Sequence, residues 1–162
     1  MKKLYTMLLL VISLCTASCS DWLDVSPSNQ VNGDKLFEIG DGYRNALNGI
    51  YLNLGTSSMY GQTMSWGFMD AIAQYYKTDN GSNFIPKTSA YYKSAKFQFE
   101  DSDVKTFISN IWSVSYNNIA NCNNLILNVS EASPSVFKEG EFEKNMVWGE
   151  ALALRAFMHF DL

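Results

Sequence analysis

One run of apolar residues limits what this chain can fold into more than any other feature of its sequence. Small or apolar side chains recur at intervals of three or four residues at Ile108, Ile111, Ser115, Ile119, Cys122, Ile126 and Val129. Such intervals place these side chains on one face of an α-helix, which has about 3.6 residues per turn. Asp101-Ser102-Asp103 supplies an N-cap, and Pro134 lies beyond the end. The sequence therefore predicts a long helix over about residues 104–129.

A shorter helix is predicted upstream by the same spacing. Its apolar positions are Tyr43, Leu47, Ile50 and Leu54. Asp41 is a candidate N-cap and Gly55 is well placed to end the helix. Gly40 and Gly42 are expected to loosen the chain just before Tyr43.

The segment between these two helices has a weaker pattern. Met64, Phe68, Ile72 and Tyr75 predict a second helix over Met59 to Tyr76, although Gly61 and Gly67 weaken it. Residues 77–96 form a polar loop in this interpretation, with strong turn chemistry at residues 79–83. Tyr91-Tyr92 and the alternation of Phe97 and Phe99 predict a short extended piece after the loop.

A last helix is predicted to begin near Glu141. Val147, Ala151, Leu154, Met158 and Leu162 form one apolar stripe, and Trp148, Leu152, Phe157 and Phe160 cover much of the remaining surface. A helix that is apolar nearly all round is expected to be buried. The chain stops at Leu162 without a capping residue, glycine or proline, which predicts a chain that is truncated at its C-terminal end.

These elements predict an all-α fold of helical hairpins, with long loops and at most a short β piece. The length of 162 residues suits about one domain. Twelve basic and 16 acidic residues give a net charge of −4, which argues against nucleic acid as a partner because that binding depends on phosphate neutralisation. The single histidine, His159, offers neither a catalytic triad nor a metal site.

The first 18 residues have the form of a lipoprotein signal peptide. Lys2 and Lys3 precede an apolar run that ends at Leu14 and is shorter than the roughly 20 residues of a membrane span. Thr16-Ala17-Ser18-Cys19 then resembles a bacterial lipobox, which predicts cleavage before Cys19 and lipid attachment to it. The alternative is an ordinary secretory signal with an incidental cysteine. Residues 19–33 are interpreted as a tether, and Cys122 as an inert buried thiol.

Four segments in order resemble the N-terminal part of the SusD/RagB-type nutrient-binding lipoproteins of the outer membrane. The segments are Cys19-Ser20-Asp21-Trp22-Leu23-Asp24 with Pro27; Leu36-Phe37 with Ala46-Leu47-Asn48-Gly49-Ile50-Tyr51; Ile111-Trp112, Tyr116, Ile119 and Asn123; and Gly149-Glu150-Ala151 with Leu154-Arg155-Ala156-Phe157, Phe160 and Leu162. Members of this family run to several hundred residues. The resemblance therefore covers their N-terminal portion and assigns residues 34–162 to it.

The resemblance implies a fold of tetratricopeptide-like helical pairs. It also implies a lipoprotein at the outer membrane that faces the cell exterior and sits on a SusC-like TonB-dependent transporter. The implied task is to bind a nutrient, usually an oligosaccharide, and to deliver it to the transporter. Neither catalysis nor a cofactor is implied. The alternative is a surface-anchored helical scaffold that binds protein partners.

Candidate ligand-binding residues lie in the loop-rich stretch from Trp66 to Tyr92. Sugars present apolar C–H faces ringed by hydroxyls, and rigid aromatic faces bind the apolar part at low entropic cost. The candidates are Trp66, Tyr76, Tyr91 and Tyr92, with Asp70, Asn80, Asn83 and Lys87 nearby for the hydroxyls. The alternative is that Trp66 and Tyr75 lie on the buried side of the second helix.

The remaining polar and aromatic motifs have structural interpretations. Trp112 and Tyr116 are neighbours on one helix face, and Asn123 is expected to satisfy backbone groups between helices. Glu150 and Arg155 are each expected to pair with a group on another helix. Asp79-Asn80-Gly81-Ser82-Asn83 is similar to part of a calcium loop, but the twelfth position is Ala90 and not glutamate, so a turn is favoured. A glycan hydrolase would need paired carboxylates, for which Asp70 and Asp79 are the nearest candidates.

Overall fold

The computed structural model describes residues 33–78 and 85–162, and most of these residues are helical. The elements are α1 (Gly33–Leu36), α2 (Gly40–Leu54), α3 (Phe68–Ile72), α4 (Ala90–Ala95), α5 (Ser102–Glu131), a 3-10 turn (Pro134–Val136) and α6 (Glu141–Asp161). No strand occurs among these elements, so the predicted all-α fold class is confirmed. All contacts described below lie within the compact unit Leu36–Leu162.

The long helix α5 is the centre of the fold. It extends the predicted range by about one half-turn at each end, and the side chain of Asp101 caps it by accepting a hydrogen bond from the Asp103 backbone N–H at 2.9 Å. Its buried face follows the predicted stripe from Ile111 to Val129, while Ile108 at the N-terminal end is exposed. A 30-residue helix is about 45 Å long, and α5 contacts α2, α4 and α6.

Helices α2 and α6 pack against α5 and together form the main core. The buried apolar side chains of this core are Tyr43, Leu47, Ile50, Leu54, Met59, Ile119, Cys122, Leu125, Val129, Phe137, Val147, Ala151 and Met158. Each of the three helices contributes one apolar stripe, which explains why periodicity alone located them. We call this arrangement of α2, α5 and α6 the three-helix body.

Side-chain contacts establish the directions of the three helices. Lys144 donates to the Ala132 carbonyl and Arg155 to Asn123, so α6 runs back along α5. In contrast, α2 runs parallel to α6, because Arg44 pairs with Glu143 near the starts of both helices and Tyr51 reaches Glu150 further along them. Helices α5 and α6 therefore form a hairpin, whereas the tetratricopeptide-like arrangement of successive pairs stays a prediction.

The early glycines allow close packing and do not loosen the chain, contrary to expectation. Helix α2 begins at Gly40 and continues through Gly42 without a break, with Ile39 and not Asp41 at the N-cap. A Cβ on Gly42 would lie 1.5 Å from the Leu36 carbonyl oxygen. Because Gly42 has no Cβ, the chain at Leu36 can approach α2 this closely.

The predicted helix from Met59 to Tyr76 is wrong over most of its length. Turns occupy the segment before Gly67, and only α3 is helical. The physical reason is the close return of the chain: a Cβ on Gly61 would lie 2.4 Å from the Gly55 carbonyl oxygen, and one on Gly67 2.9 Å from the Gln62 carbonyl oxygen.

The predicted extended piece at Tyr91 to Phe99 is also wrong. Residues Ala90–Ala95 form α4, and the Ser89 hydroxyl caps its start by accepting a hydrogen bond from the Tyr91 backbone N–H. A side-chain cap stabilises the start of a short helix, and the left-handed φ of 55° at Phe97 interrupts the extended conformation that the Phe97 and Phe99 alternation predicts. Residues 55–101, which carry α3 and α4, are called the cleft segment below.

Helix α6 is not buried all round in the described residues. Val147, Ala151 and Met158 face α5 and α2, whereas Phe142 and Phe160 are 69% and 88% exposed. Trp148, Leu152 and Phe157 are exposed to a lesser degree. Within the part of the chain that the structure describes, one face of α6 meets the other helices, so the expected burial on all sides is not seen there.

Among the described residues, no helix has both the length and the apolar character that a membrane span requires.

Candidate functional site

Three of the four predicted ligand-binding aromatics line one cleft. Its walls are formed by Gln62, Trp66, Gly67, Tyr76, Ile85 and Tyr91, and its volume is about 190 Å³. The turns before α3 supply one wall and α4 supplies the other. The cleft therefore joins aromatic residues that lie 25 positions apart along the chain, from Trp66 to Tyr91.

Trp66 gives the cleft an open aromatic face. Its side chain is 57% exposed, so the alternative of a buried Trp66 does not hold. Tyr75, which shared that alternative, is 77% exposed but is not part of the cleft lining. An exposed indole ring is costly to hydrate and is available to stack on a flat apolar surface.

Tyr76 is anchored close to Trp66. Its hydroxyl donates a hydrogen bond to the Trp66 backbone carbonyl. Desolvation raises the pKa of the Tyr76 phenol, and the nearby Asp70 carboxylate raises it further. A phenol is protonated at neutral pH even at its ordinary pKa, so the Tyr76 hydroxyl has the hydrogen that it donates to Trp66.

Tyr91 is held in place on both its ring and its hydroxyl. The ring stacks on Phe107 of α5 with centroids 5.2 Å apart. The hydroxyl accepts a hydrogen bond from Gln62 Nε2 at 2.8 Å, which connects the two walls of the cleft. Fixing both ends of a side chain before binding reduces the entropy that a ligand contact would otherwise cost.

The fourth candidate, Tyr92, lies outside the cleft lining. Lys96 Nζ is positioned over its ring at 5.7 Å from the centroid. The successive side chains of a helix point about 100° apart, so Tyr91 and Tyr92 cannot share one wall of a narrow cleft. Of the polar candidates, Asp70 lies near Tyr76 and Lys87 is exposed, while Asn80 and Asn83 lie outside the described residues.

Sequence reasoning missed several residues of the cleft. Gln62 lies within the predicted second helix and Ile85 within the predicted polar loop, and neither residue is part of a recognisable motif. Phe107, beneath Tyr91, is the one that periodicity could have indicated, because it lies one turn before Ile111 on α5. A wider groove of about 410 Å³ between α2 and α5 carries the amides of Asn53, Asn121 and Asn124, but one aromatic residue, Phe37.

The aromatic pair on α5 forms a separate feature. Trp112 and Tyr116 lie with ring centroids 4.7 Å apart, as expected for neighbours on one helix face. Both are exposed, at 55% and 42%, and His159 meets the edge of the Tyr116 ring at 6.5 Å. Trp112 also lines a groove with Met64, Phe68, Met69 and Ile108.

Glu150 and Arg155, two of the charged residues of the last helix, pair with other helices, as expected. Glu150 accepts a hydrogen bond from the Tyr51 hydroxyl at 2.9 Å. Arg155 Nη1 donates to Asn123 Oδ1 at 2.9 Å. The amide oxygen of Asn123 thus serves a side chain and not the backbone groups that were expected.

The remaining candidate features are the cysteines and the possible metal ligands. Cys122 is fully buried and free, and burial raises the pKa of its thiol to about 11, which makes it unreactive at neutral pH. The described residues contain no group of three or more His, Cys, Asp or Glu side chains that could hold a metal ion. Cys19 and the turn at residues 79–83, with Asp79, lie outside the described residues.

The described residues form a helical body with an open aromatic cleft, the kind of surface on which a small ligand can stack. A family model of SusD-like proteins, described as starch-binding and associating with the outer membrane, matches residues 21–162. The chain therefore belongs to the SusD-like family, whose description is one of starch binding at the outer membrane. The chain matches no curated protein and no solved structure.

Proposed function

We propose that this chain is an outer-membrane lipoprotein that binds an oligosaccharide and delivers it to a SusC-like TonB-dependent transporter. The family match over residues 21–162 carries the proposal. The proposal contains no catalytic step and no cofactor. Its ligand site is the cleft of Trp66, Tyr76 and Tyr91.

The chemistry of the cleft supports a sugar ligand. The open ring of Trp66 offers a stacking surface for the C–H face of a pyranose. The Gln62 amide and the tyrosine hydroxyls supply donors and acceptors for the hydroxyls of the sugar. A few polar groups around an apolar, partly preformed surface are typical of small-ligand sites.

Calorimetric titration with starch-derived oligosaccharides tests the ligand and the site together. We expect Trp66→Ala to weaken binding by about tenfold, which is the effect of losing a central aromatic anchor. Trp148→Ala is the matched control, since this exposed tryptophan lies on α6 and outside the cleft. Equal losses for the two variants, or no binding by the unmodified protein to any glycan of an array, would count against the proposal.

The membrane attachment is proposed to depend on Cys19. Cells grown with labelled palmitate should incorporate the label into the protein, and Cys19→Ala should abolish this. Cys15→Ala is the matched control, because Cys15 lies inside the proposed signal. Several acyl chains anchor a protein stably, whereas one chain anchors it only marginally.

The transporter is tested by purifying the native lipoprotein in mild detergent. A large β-barrel protein of the TonB-dependent class should copurify with it. Recovery of the lipoprotein without such a partner would contradict the delivery step and leave glycan binding to be judged by titration.

A second candidate is a helical scaffold for protein partners. The exposed aromatics Phe142, Trp148 and Phe160 on the outer face of α6 favour it, because large exposed apolar groups often mark protein contacts. Glycan-array binding that is lost in Trp66→Ala would favour the nutrient-binding proposal. An array without hits, together with a protein partner lost in Phe160→Ala, would favour the scaffold.

A further inference from the structure

The two short helices beside the cleft end with the same backbone motif. After α3, Gln74 has a left-handed φ of 62°. The Gln74 N–H donates to the Ala71 carbonyl, and the Tyr75 N–H donates to the Asp70 carbonyl. This pair of bonds is the Schellman motif, in which glycine is the usual residue at the left-handed position.

Helix α4 repeats the motif. Phe97 has a φ of 55°, its N–H donates to the Ser94 carbonyl, and the N–H of Gln98 donates to that of Lys93. A side chain at a left-handed position is disfavoured relative to glycine because its Cβ crowds the backbone. Both turns therefore carry a residue that the local backbone alone would not select.

The side chain of Gln74 compensates in a way that Phe97 does not. Gln74 Nε2 donates to the Ala71 carbonyl at 3.2 Å and to the Ala95 carbonyl at 2.7 Å. The second bond joins the C-terminal end of α3 to the C-terminal end of α4. Phe97, in contrast, meets the ring of Phe99 within its own turn at 6.0 Å and is 55% exposed.

Small side chains meet where the C-terminal ends of the two helices approach each other, and Ala71, Ser94 and Ala95 are buried there. The larger side chains of the two helices, Phe68 and Tyr91, both pack on Phe107 of α5. Small side chains allow close approach but bury little apolar area. A hydrogen bond between the helix ends consequently matters more here than it would in the three-helix body.

We propose that Gln74 is a positioning residue of the cleft, whose hydrogen bond to Ala95 sets the separation of the two cleft walls and thereby the affinity for glycan. Trp66 and Tyr76 lie on the α3 side of the cleft, and Tyr91 lies on the α4 side. Gln62 joins the walls at the lining, and Gln74 joins them behind it. The link to affinity rests on the proposed function.

Gln74→Gly separates the positioning role from a structural one. Glycine adopts the left-handed φ readily, so the thermal midpoint should stay the same or rise. The bond to Ala95 is lost, and glycan affinity should fall by about fivefold, as for one hydrogen bond. Phe97→Gly is the matched control: it relieves the equivalent turn of α4, leaves the bond intact, and should bind as the unmodified protein does.

A second variant tests whether the hydrogen bond itself is responsible. Gln74→Glu has the same length, but an ionised carboxylate cannot donate to the Ala95 carbonyl. It should lose affinity as Gln74→Gly does. Full affinity in either variant, or an equal loss in Phe97→Gly, would overturn the inference.

Hydrogen exchange without ligand keeps this inference distinct from the proposed function. The amides of Ser94 and Ala95 should exchange about tenfold faster in Gln74→Gly, because α4 would be less firmly held. They should not do so in Phe97→Gly. Unchanged exchange in Gln74→Gly would overturn the positioning role even if glycan binds. Absence of glycan binding by the unmodified protein would overturn the proposed function, and faster exchange would still support the role of Gln74 in holding α4.

Discussion

The three-helix body and the cleft segment are held together in different ways. In the body, large apolar side chains such as Leu125, Val129 and Met158 are fully buried along long helices. In the cleft segment, α3 and α4 are a few residues long, bury Phe68 and otherwise small side chains, and are linked by hydrogen bonds from Gln62 and Gln74. Apolar burial provides stability without fixing direction, whereas hydrogen bonds fix geometry and add little net stability. The body should therefore determine whether the chain folds, and the cleft segment how well it binds.

The largest expected effect is the loss of a core side chain from the body. Leu125→Ala removes a leucine that is 0% exposed and should destabilise the fold by about 3 kcal/mol. Leu127→Ala, two residues along the same helix at a position that is 57% exposed, should change stability by less than about 0.5 kcal/mol. Chemical denaturation of both variants measures the difference, and similar midpoints would contradict the assigned core.

A smaller loss is expected where α2 meets the chain that precedes it. The Cβ of Gly42→Ala would lie 1.5 Å from the Leu36 carbonyl oxygen, so the backbone must shift, at a cost of roughly 2 kcal/mol. Gly49→Ala is the control on the same helix: nothing lies within 4 Å of its Cβ, and alanine should stabilise the helix by up to about 1 kcal/mol. Opposite signs in thermal denaturation would support the close approach; a gain for both would rule it out.

A third effect concerns the acid side of the stability profile. Arg44 and the Glu139 backbone N–H both donate to the buried Glu143 carboxylate, and they hold its pKa below the ordinary value of 4.5. Because the folded pKa is the lower one, this contribution is complete above pH 4.5 and is lost as the pH falls towards the folded value. Denaturation midpoints should thus fall more steeply below pH 4.5 in the unmodified protein than in Glu143→Gln. Parallel profiles would show that Glu143 does not titrate in this way.

The smallest expected effect on stability comes from the cleft. Trp66→Ala removes a side chain that is already 57% exposed, so the free energy of unfolding should change by less than about 0.5 kcal/mol. The same variant is expected to lose most of its glycan affinity. A large loss of stability in Trp66→Ala would erase the distinction between body and cleft segment.

The body could be predicted from the sequence because one physical rule dominates it. A stripe of apolar residues at helical spacing must be buried, and the stripes at Tyr43 to Leu54 and Ile111 to Val129 are buried where expected. The rule fails at α6 in a specific way: it counts Phe160 as buried, although no helix of the described residues covers it. Periodicity identifies the apolar face of a helix, but it does not show which of the apolar residues pack against another element.

The cleft could be predicted only in its composition. Aromatic chemistry indicates Trp66, Tyr76 and Tyr91 as candidates, but nothing in their spacing indicates that they line one cleft or that Tyr92 lies outside it. Gln62 and Gln74 could not be identified, because a glutamine with a left-handed φ leaves no trace in the sequence when glycine is the expected residue. The second helix was misjudged for a related reason, since Gly61 and Gly67 serve close contacts with distant backbone.

Phe107, beneath the cleft, and Asn123, the partner of Arg155, both lie on the single continuous helix α5. One residue inserted between them would turn one end against the other by about 100° and would point the mouth of the cleft in another direction. Seven inserted residues, close to two whole turns, would restore the phase. Insertions into this helix therefore preserve the orientation of the cleft relative to the three-helix body only when they add close to a whole number of turns.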